Sequence, residues 1–213
     1  MEFVTMMSTY TINASTMLLE PRIEEGRLAG TIIYEKDRPP VLVDMKPMEI
    51  IEHSCLYYFS TYEGRKTSSR FLTRISHKPP IVIDPVTGIY FFSTHADSNK
   101  SNYWIALHHV INMEKTDDIS NETTITLSGN VDITLPISRR ATHLQYLKAS
   151  VLSLKLHQNI DGIREKTEDT YKIRLHQKRF MFAEYLDRIE NADSQDRSKP
   201  VDGGDIDFNR PTK

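Results

Sequence analysis

Apolar and β-branched residues first cluster in short runs bounded by Pro and Gly, a pattern of strands rather than helices. Thr9–Ile12, Thr16–Glu20 ahead of Pro21, Thr31–Glu35, and Val41–Asp44 behind Pro39-Pro40 are read in this way. The period then changes. Met48, Ile51, Cys55, Tyr58 and Tyr62 recur at steps of three and four behind Pro47, which predicts a helix of about four turns. Glu49 and Glu52 in its first turn suit the helix dipole, and Gly64 is read as its left-handed stop. Alternation returns in Arg70–His77, with Phe71, Thr73 and Ile75 on one strand face and Arg70, Leu72 and Arg74 on the other.

Ile81–Ile83 and Ile89–Ser93 flank the turn residues Asp84-Pro85-Val86-Thr87-Gly88 and predict a hairpin. The polar stretch Thr94–Asn102 is expected to be an exposed loop, and Trp104–Met113 a long central strand. Thr123–Leu127 and Val131–Leu135 form a second hairpin signal across Ser128-Gly129-Asn130. From Ser138, a candidate N-cap, Leu144, Leu147, Val151 and Leu154 mark one face of a helix. A second helix is predicted from Thr167 to about Ala192, with Leu175, Phe182, Leu186 and Ile189 on one face. Beyond Asp193 the chain is polar and Gly- and Pro-containing. The expected fold is therefore α+β: a mixed, largely antiparallel sheet with one mid-chain helix and two C-terminal helices. One domain would cover residues 1–192 and a disordered tail residues 193–213.

With 213 residues, 38% of them hydrophobic, the chain can bury a core without a metal or disulfide staple. A lone cysteine, Cys55, cannot form an intrachain bridge and points to a reducing cytoplasm. No apolar run approaches the ~20 residues of a membrane span, since Trp104–Met113 is broken by His108, His109 and Asn112. Met1–Met7 lacks a basic n-region and a long apolar stretch, so no secretory signal is expected and the sequons at Asn13 and Asn121 carry no weight. The net charge of −2 hides a segregation: residues 116–138 carry −4, residues 139–182 carry +6, and residues 183–213 carry −3. A denser strip, Arg65, Lys66, Arg70, Arg74 and Lys78, has no acid between Arg65 and Ile83. Such a strip is either a solvated rim or a phosphate-binding surface, and composition does not choose between them.

Catalytic chemistry finds little support. Gly64-Arg65-Lys66-Thr67 imitates the end of a phosphate-binding loop, but the upstream glycine is absent and a helix, not a strand, precedes it. His108 and His109, adjacent in a predicted strand, should point to opposite faces, and His143 and His157 are too far apart to ligate together. Cys55 lies on an apolar helix face with no partner base identified, and no serine sits in a G-x-S-x-G turn. No enzyme activity, metal or cofactor is expected.

The ordered string is more informative than any single piece. Val43-Asp44-Met45-Lys46-Pro47, Ile50-Ile51 to Ser54-Cys55, Gly64-Arg65-Lys66, Ile75-Ser76-His77-Lys78-Pro79-Pro80-Ile81, Asp84-Pro85, Ile89-Tyr90-Phe91-Phe92, Trp104-Ile105 and Leu135-Pro136-Ile137-Ser138 together resemble the ComK family of competence transcription factors, over about Tyr10 to Leu156. The resemblance implies a cytoplasmic, nucleoid-associated activator of DNA-uptake genes. It would bind double-stranded A/T-rich promoter boxes from the minor-groove side as a homo-oligomer, with RNA polymerase as a further partner and with adaptor-delivered, ATP-dependent proteolysis as its control. Minor-groove readout works through groove width and potential, which Arg and Lys exploit without a recognition helix. The candidate DNA contacts are Arg65, Lys66, Arg70, Arg74 and Lys78, with Arg139 and Arg140 as secondary phosphate contacts. Phe180, Met181 and Phe182, three consecutive apolar residues that cannot all face one core, are the candidate adaptor site. Phe59 stands where the family pattern leads one to expect glycine, Ser93 where proline, and Asn102 where cysteine. The alternative is therefore a divergent interaction protein that has lost DNA binding and acts through the adaptor or through mixed oligomers.

Overall fold

Strands Ile81–Asp84 (β5) and Ile89–Ser93 (β6) are buried at every position rather than at alternate ones, which is how a strand reads when both faces of its sheet are covered. The computed structural model describes residues 6–117 and 120–163. The chain divides into two units, residues 1–160 and 161–213, and of the second only the helical residues 161–163 are described. Strands β1 (Met6–Met7), β2 (Thr16–Glu24), β3 (Arg27–Glu35), β4 (Val41–Val43) and β7 (Trp104–Ala106) join β5 and β6 in a seven-stranded sheet of order β1-β4-β3-β2-β7-β6-β5. Its pairs are antiparallel except β1 with β4. A second, antiparallel sheet holds β8 (Val110–Lys115), β9 (Thr123–Leu127) and β10 (Val131–Leu135).

Alternate side chains of the large sheet enter two cores. Leu19, Ile33, Phe91 and Trp104 pack with Ile50, Ile51 and Cys55 of helix α1 (Pro47–Tyr57) and with Tyr62 of helix α2 (Tyr62–Thr73). Leu18, Tyr34, Phe92 and Ile105 pack instead with Ile125, Leu127 and Leu135 of the small sheet and with Ala149 of α3, a helix over residues 139–163. At Gly30 a Cβ would lie 2.6 Å from the Val43 carbonyl oxygen, so only glycine lets β4 close on β3 there.

The α+β class and both hairpins agree with the sequence pattern, while several segments differ. Arg70–His77 is not a strand: residues as far as Thr73 belong to α2, and Arg74 is its left-handed C-cap. The buried face of α2 is polar, Tyr62, Ser69 and Thr73, so no apolar periodicity announced the helix. Gly64 is not a stop either. It lies in the first turn of α2, its N–H donating to the Thr61 hydroxyl at 3.1 Å, and an added Cβ would sit 3.0 Å from that oxygen. The actual stop of α1 is Phe59, at φ 58°. Around it Ser60 N–H donates to the Cys55 carbonyl and Phe59 N–H to that of Leu56, a Schellman closure whose left-handed residue is usually glycine.

Thr9–Ile12 forms no strand, because α1 takes its backbone groups: Ile12 N–H donates to Ser54 Oγ and the Tyr58 hydroxyl to the Ile12 carbonyl, each at 3.0 Å. Strand β2 continues through Pro21, which is tolerated because β7 pairs with β2 only at Leu18 and Leu19 and asks for no N–H further along. Trp104–Met113 is broken by a 3₁₀ turn, Leu107–His109, that carries the chain from one sheet to the other. The two histidines therefore do not oppose each other. Nε2 of His108 and of His109 reach the same Ala14 carbonyl at 3.2 and 2.8 Å, with ring centroids 4.2 Å apart. The loop after β6 is anchored rather than fully exposed, Asn102 Oδ1 accepting from His95 N–H at 2.9 Å while Tyr103 N–H donates to Thr94 Oγ1. Leu144, Leu147, Val151 and Leu154 are exposed, and α3 buries Thr142, Gln145, Ala149 and Leu152 instead. The second C-terminal helix and the tail, like the boundary set at residue 192, lie outside the described residues.

A polar knot closes the end of β3. Glu35 Oε1 accepts from the Tyr10 hydroxyl at 2.7 Å and from Asn13 Nδ2 at 3.1 Å, and Arg38 Nη1 lies 3.2 Å from Oε2. Burial works to raise the Glu35 carboxyl, but these three partners outweigh it and hold it below its ordinary 4.5. The stabilisation is thus present above pH 4.5 and is lost as pH falls through the lowered value. Glu35→Gln should cost roughly 1–3 kcal/mol at neutral pH and flatten the acid limb of stability, read by denaturant melts across pH. An acid limb identical to that of the parent would exclude Glu35 as its source.

Phe59 makes the opposite case. Its side chain is 99% exposed, so its left-handed backbone is strained without compensating packing. Phe59→Gly should stabilise the fold by roughly 0.5–1 kcal/mol, a rise of about 1–4 °C in melting temperature. A lower melting temperature would mean that the ring packs in solution.

Candidate nucleic-acid interface

The basic strip is dealt out to different tasks by α2. Tyr62 is buried edge-on against Trp104, with ring centroids 6.3 Å apart, and fixes the rotation of the helix. Lys66 then folds back over the Tyr62 ring, 5.0 Å from its centroid, and pairs with Asp97 at 2.6 Å and with Glu63 at 3.4 Å. Only 15% of its side chain is exposed, so it ties the loop after β6 to α2. Arg65 also turns inward: Nη2 donates to the Tyr58 carbonyl at 3.0 Å, at the C-terminal end of α1, and its buried Nε has no acceptor. Burial pushes the neighbouring Cys55 thiol up to about 11, the Arg65 charge opposing this only in part. A buried, protonated thiol is a packing group and not a nucleophile.

Arg70 and Arg74 lie one turn apart on the exposed side of α2 and enter no ion pair among the described residues. The Arg74 guanidinium sits over the Phe71 ring at 5.3 Å, and Lys78 Nζ donates to the Thr94 carbonyl at 3.0 Å. The expected sharing of a strand face is therefore replaced by a helix and its cap. Alternating β-branched residues concealed this, as did the polar inner face of α2.

Two cations that the sequence reading passed over complete the surface. Lys148 Nζ of α3 donates to the His77 carbonyl at 2.8 Å, and Lys155 Nζ to the Leu72 carbonyl at 3.2 Å. Seven residues is two helical turns, so both lysines lie on one side of α3, a spacing visible in the sequence once α3 is set beside α2. Burial, and then the Lys78 charge, lower the affinity of Lys148 for its proton. The same Lys78 charge acts on His95, whose imidazole is held below its ordinary value, chiefly by burial. The acid-free segment from Arg65 to Ile83 is thereby joined to the acid-free residues 139–160.

Arg139 and Arg140 are not part of this gathering. They occupy the first turn of α3, roughly 13 Å along its axis from Lys148, where both are exposed and Arg139 Nε donates to the Met113 carbonyl at 2.9 Å. Phe180, Met181 and Phe182 lie outside the described residues. Among the described residues there is no cluster of three metal-ligating side chains, and no helix long and apolar enough to cross a membrane.

The family-model comparison matches residues 7–161 to the family described as ComK protein. The chain is 34% identical over 155 residues to the competence transcription factor of Bacillus subtilis (strain 168), an overlap covering 73% of this chain and 79% of that relative. No solved structure matches. The match spans every described strand and helix from Met7 to Asp161, and on that extent the chain belongs to the ComK family.

Proposed function

We propose that this chain is a competence transcription regulator that binds double-stranded, A/T-rich DNA in the cytoplasm as a homo-oligomer. The observation that carries the reading is the joining of two acid-free segments, through Lys148 and Lys155, into one cationic surface with Arg70, Arg74 and Lys78. Cations that neutralise phosphates release condensed counterions, and none of these five enters an ion pair among the described residues that would compete for that role. Arg65 and Lys66, held by Tyr58, Glu63 and Asp97, shape the surface rather than touch DNA. Arg139 and Arg140 are a separate phosphate contact at the far end of α3.

The family resemblance favours the minor groove. A second reading has a specific observation behind it: α2 follows α1 after a four-residue turn, 58–61, and leaves Thr67, Ser68, Arg70, Phe71 and Arg74 exposed, a helix face that a major groove admits. Replacing A·T by inosine·cytosine pairs keeps the minor-groove pattern and changes the major-groove edge. Binding in a gel-shift titration should survive this replacement and fall with G·C. A loss as large as that caused by G·C would instead place α2 in the major groove.

The phosphate contacts are read by salt dependence. Arg70→Ala with Arg74→Ala should reduce the slope of log K against log salt by about 2 units, roughly 0.9 for each contact. Arg65→Ala should leave the slope unchanged and lower the melting temperature. An unchanged slope in a folded Arg70/Arg74 double variant would remove these two from the interface.

A further inference from the structure

Helix α3 buries one side and exposes an apolar stripe on the opposite one. Thr142, Gln145, Ala149 and Leu152 are buried against the sheets, whereas Leu144, Leu147, Val151 and Leu154 are 54%, 46%, 39% and 60% exposed. At 100° per residue the two sets lie on roughly opposite sides of the helix. The exposed set repeats at steps of three, four and three over roughly 15 Å, the spacing of anchors by which one helix receives another. Leu154 also borders an open groove of about 480 Å³, lined by Leu107, Val110, Tyr146, Ser150 and His157. None of these four side chains belongs to a hydrophobic cluster of the described residues.

Charge decides what suits this face. Residues 139–160 contain no acid, and Arg140, Lys148 and Lys155 border the stripe. Two copies of α3 laid stripe to stripe would bring these cations together without a counter-charge. We propose that the Leu144–Leu147–Val151–Leu154 face is a docking site for an acidic amphipathic helix of a partner protein. The partner's apolar residues seat on the stripe and reach the groove beside Leu154, and its carboxylates meet Lys148, Lys155 and Arg140. The inference does not rest on the DNA-binding reading.

The test uses the full chain and a fluorescent synthetic peptide of about four turns, with leucines at i, i+3, i+7 and i+10 and glutamates on both flanks, followed by anisotropy. The peptide should bind, more weakly as salt rises, and a scramble of the same composition should not. Leu147→Ser with Leu154→Ser should lower affinity at least ten-fold while leaving the melting temperature and the DNA gel shift unchanged. The near-isosteric Val151→Thr gives a milder loss should the double variant fail to fold. Equal binding of the scramble, or undiminished binding by the variants, overturns the proposal. So does a leucine-dependent self-association seen by sedimentation, which would make a second copy the occupant. Leucine-dependent binding to anionic vesicles without peptide binding overturns it as well, in favour of a lipid surface.

Discussion

The strands β5, β6 and β7 of the seven-stranded sheet are buried on both faces, and most of the architecture answers that constraint. Phe91 and Phe92, or Trp104 and Ile105, are neighbours in sequence that enter different cores. Each large side chain so buried contributes roughly 1.5–3 kcal/mol, and neither face could be left to water. Two coverings are therefore needed. The helices α1 and α2 supply one, and the three-stranded sheet with α3 supplies the other. The chain passes between layers at the Leu107–His109 turn, where His109 is held by Ala14 through Nε2 and by Ser128 through Nδ1. Burial, joined by the adjacent His108 and by Lys36, outweighs the Ala14 hydrogen bond and holds that imidazole below its usual range.

The same constraint explains what could be read from the sequence. Unbroken apolar runs such as Ile81–Ile83 and Ile89–Phe92 have few alternatives to a doubly covered strand, and turn chemistry located both hairpins. Segments that satisfy their backbone by unusual partners were not legible. Thr9–Ile12 looks like a strand from its β-branched residues, yet the Ile12 backbone bonds to the side chains of Ser54 in α1 and of Tyr58 at its C-cap. The last turn of α2, Arg70–Thr73, reads as part of a strand because the inward positions of the helix are Tyr62, Ser69 and Thr73, which carry no 3.6-residue apolar signal. In α3 the apolar repeat identifies the helix but marks its exposed side, since the buried Thr142, Gln145 and Ala149 do not stand out by hydrophobicity.

The basic strip was visible as a run of charges, but its division of labour was not. Spacing alone cannot tell that Lys66 is covered by Tyr62 and held by Asp97, or that Arg65 serves the end of α1, because those partners lie 31 and 7 residues away. Lys148 and Lys155 are separated from α2 by more than seventy residues and by a whole second sheet. Only the packing of α3 across the end of α2 makes one surface of them. The departures at Phe59 and Asn102 also gain a meaning: the first occupies a left-handed position that suits glycine, and the second uses its amide oxygen to hold the loop in place.

A helix with one side in the core and an apolar stripe on the other is filtered by two separate tests when its sequence drifts. A change at Ala149 or Leu152 is judged by whether the protein folds at all. One at Leu144 or Val151 leaves folding almost untouched and is judged only by what the surface meets. Within one helix, then, every third or fourth position can diversify between relatives while its neighbours stay fixed, and a lineage can change its associations here without renegotiating its stability.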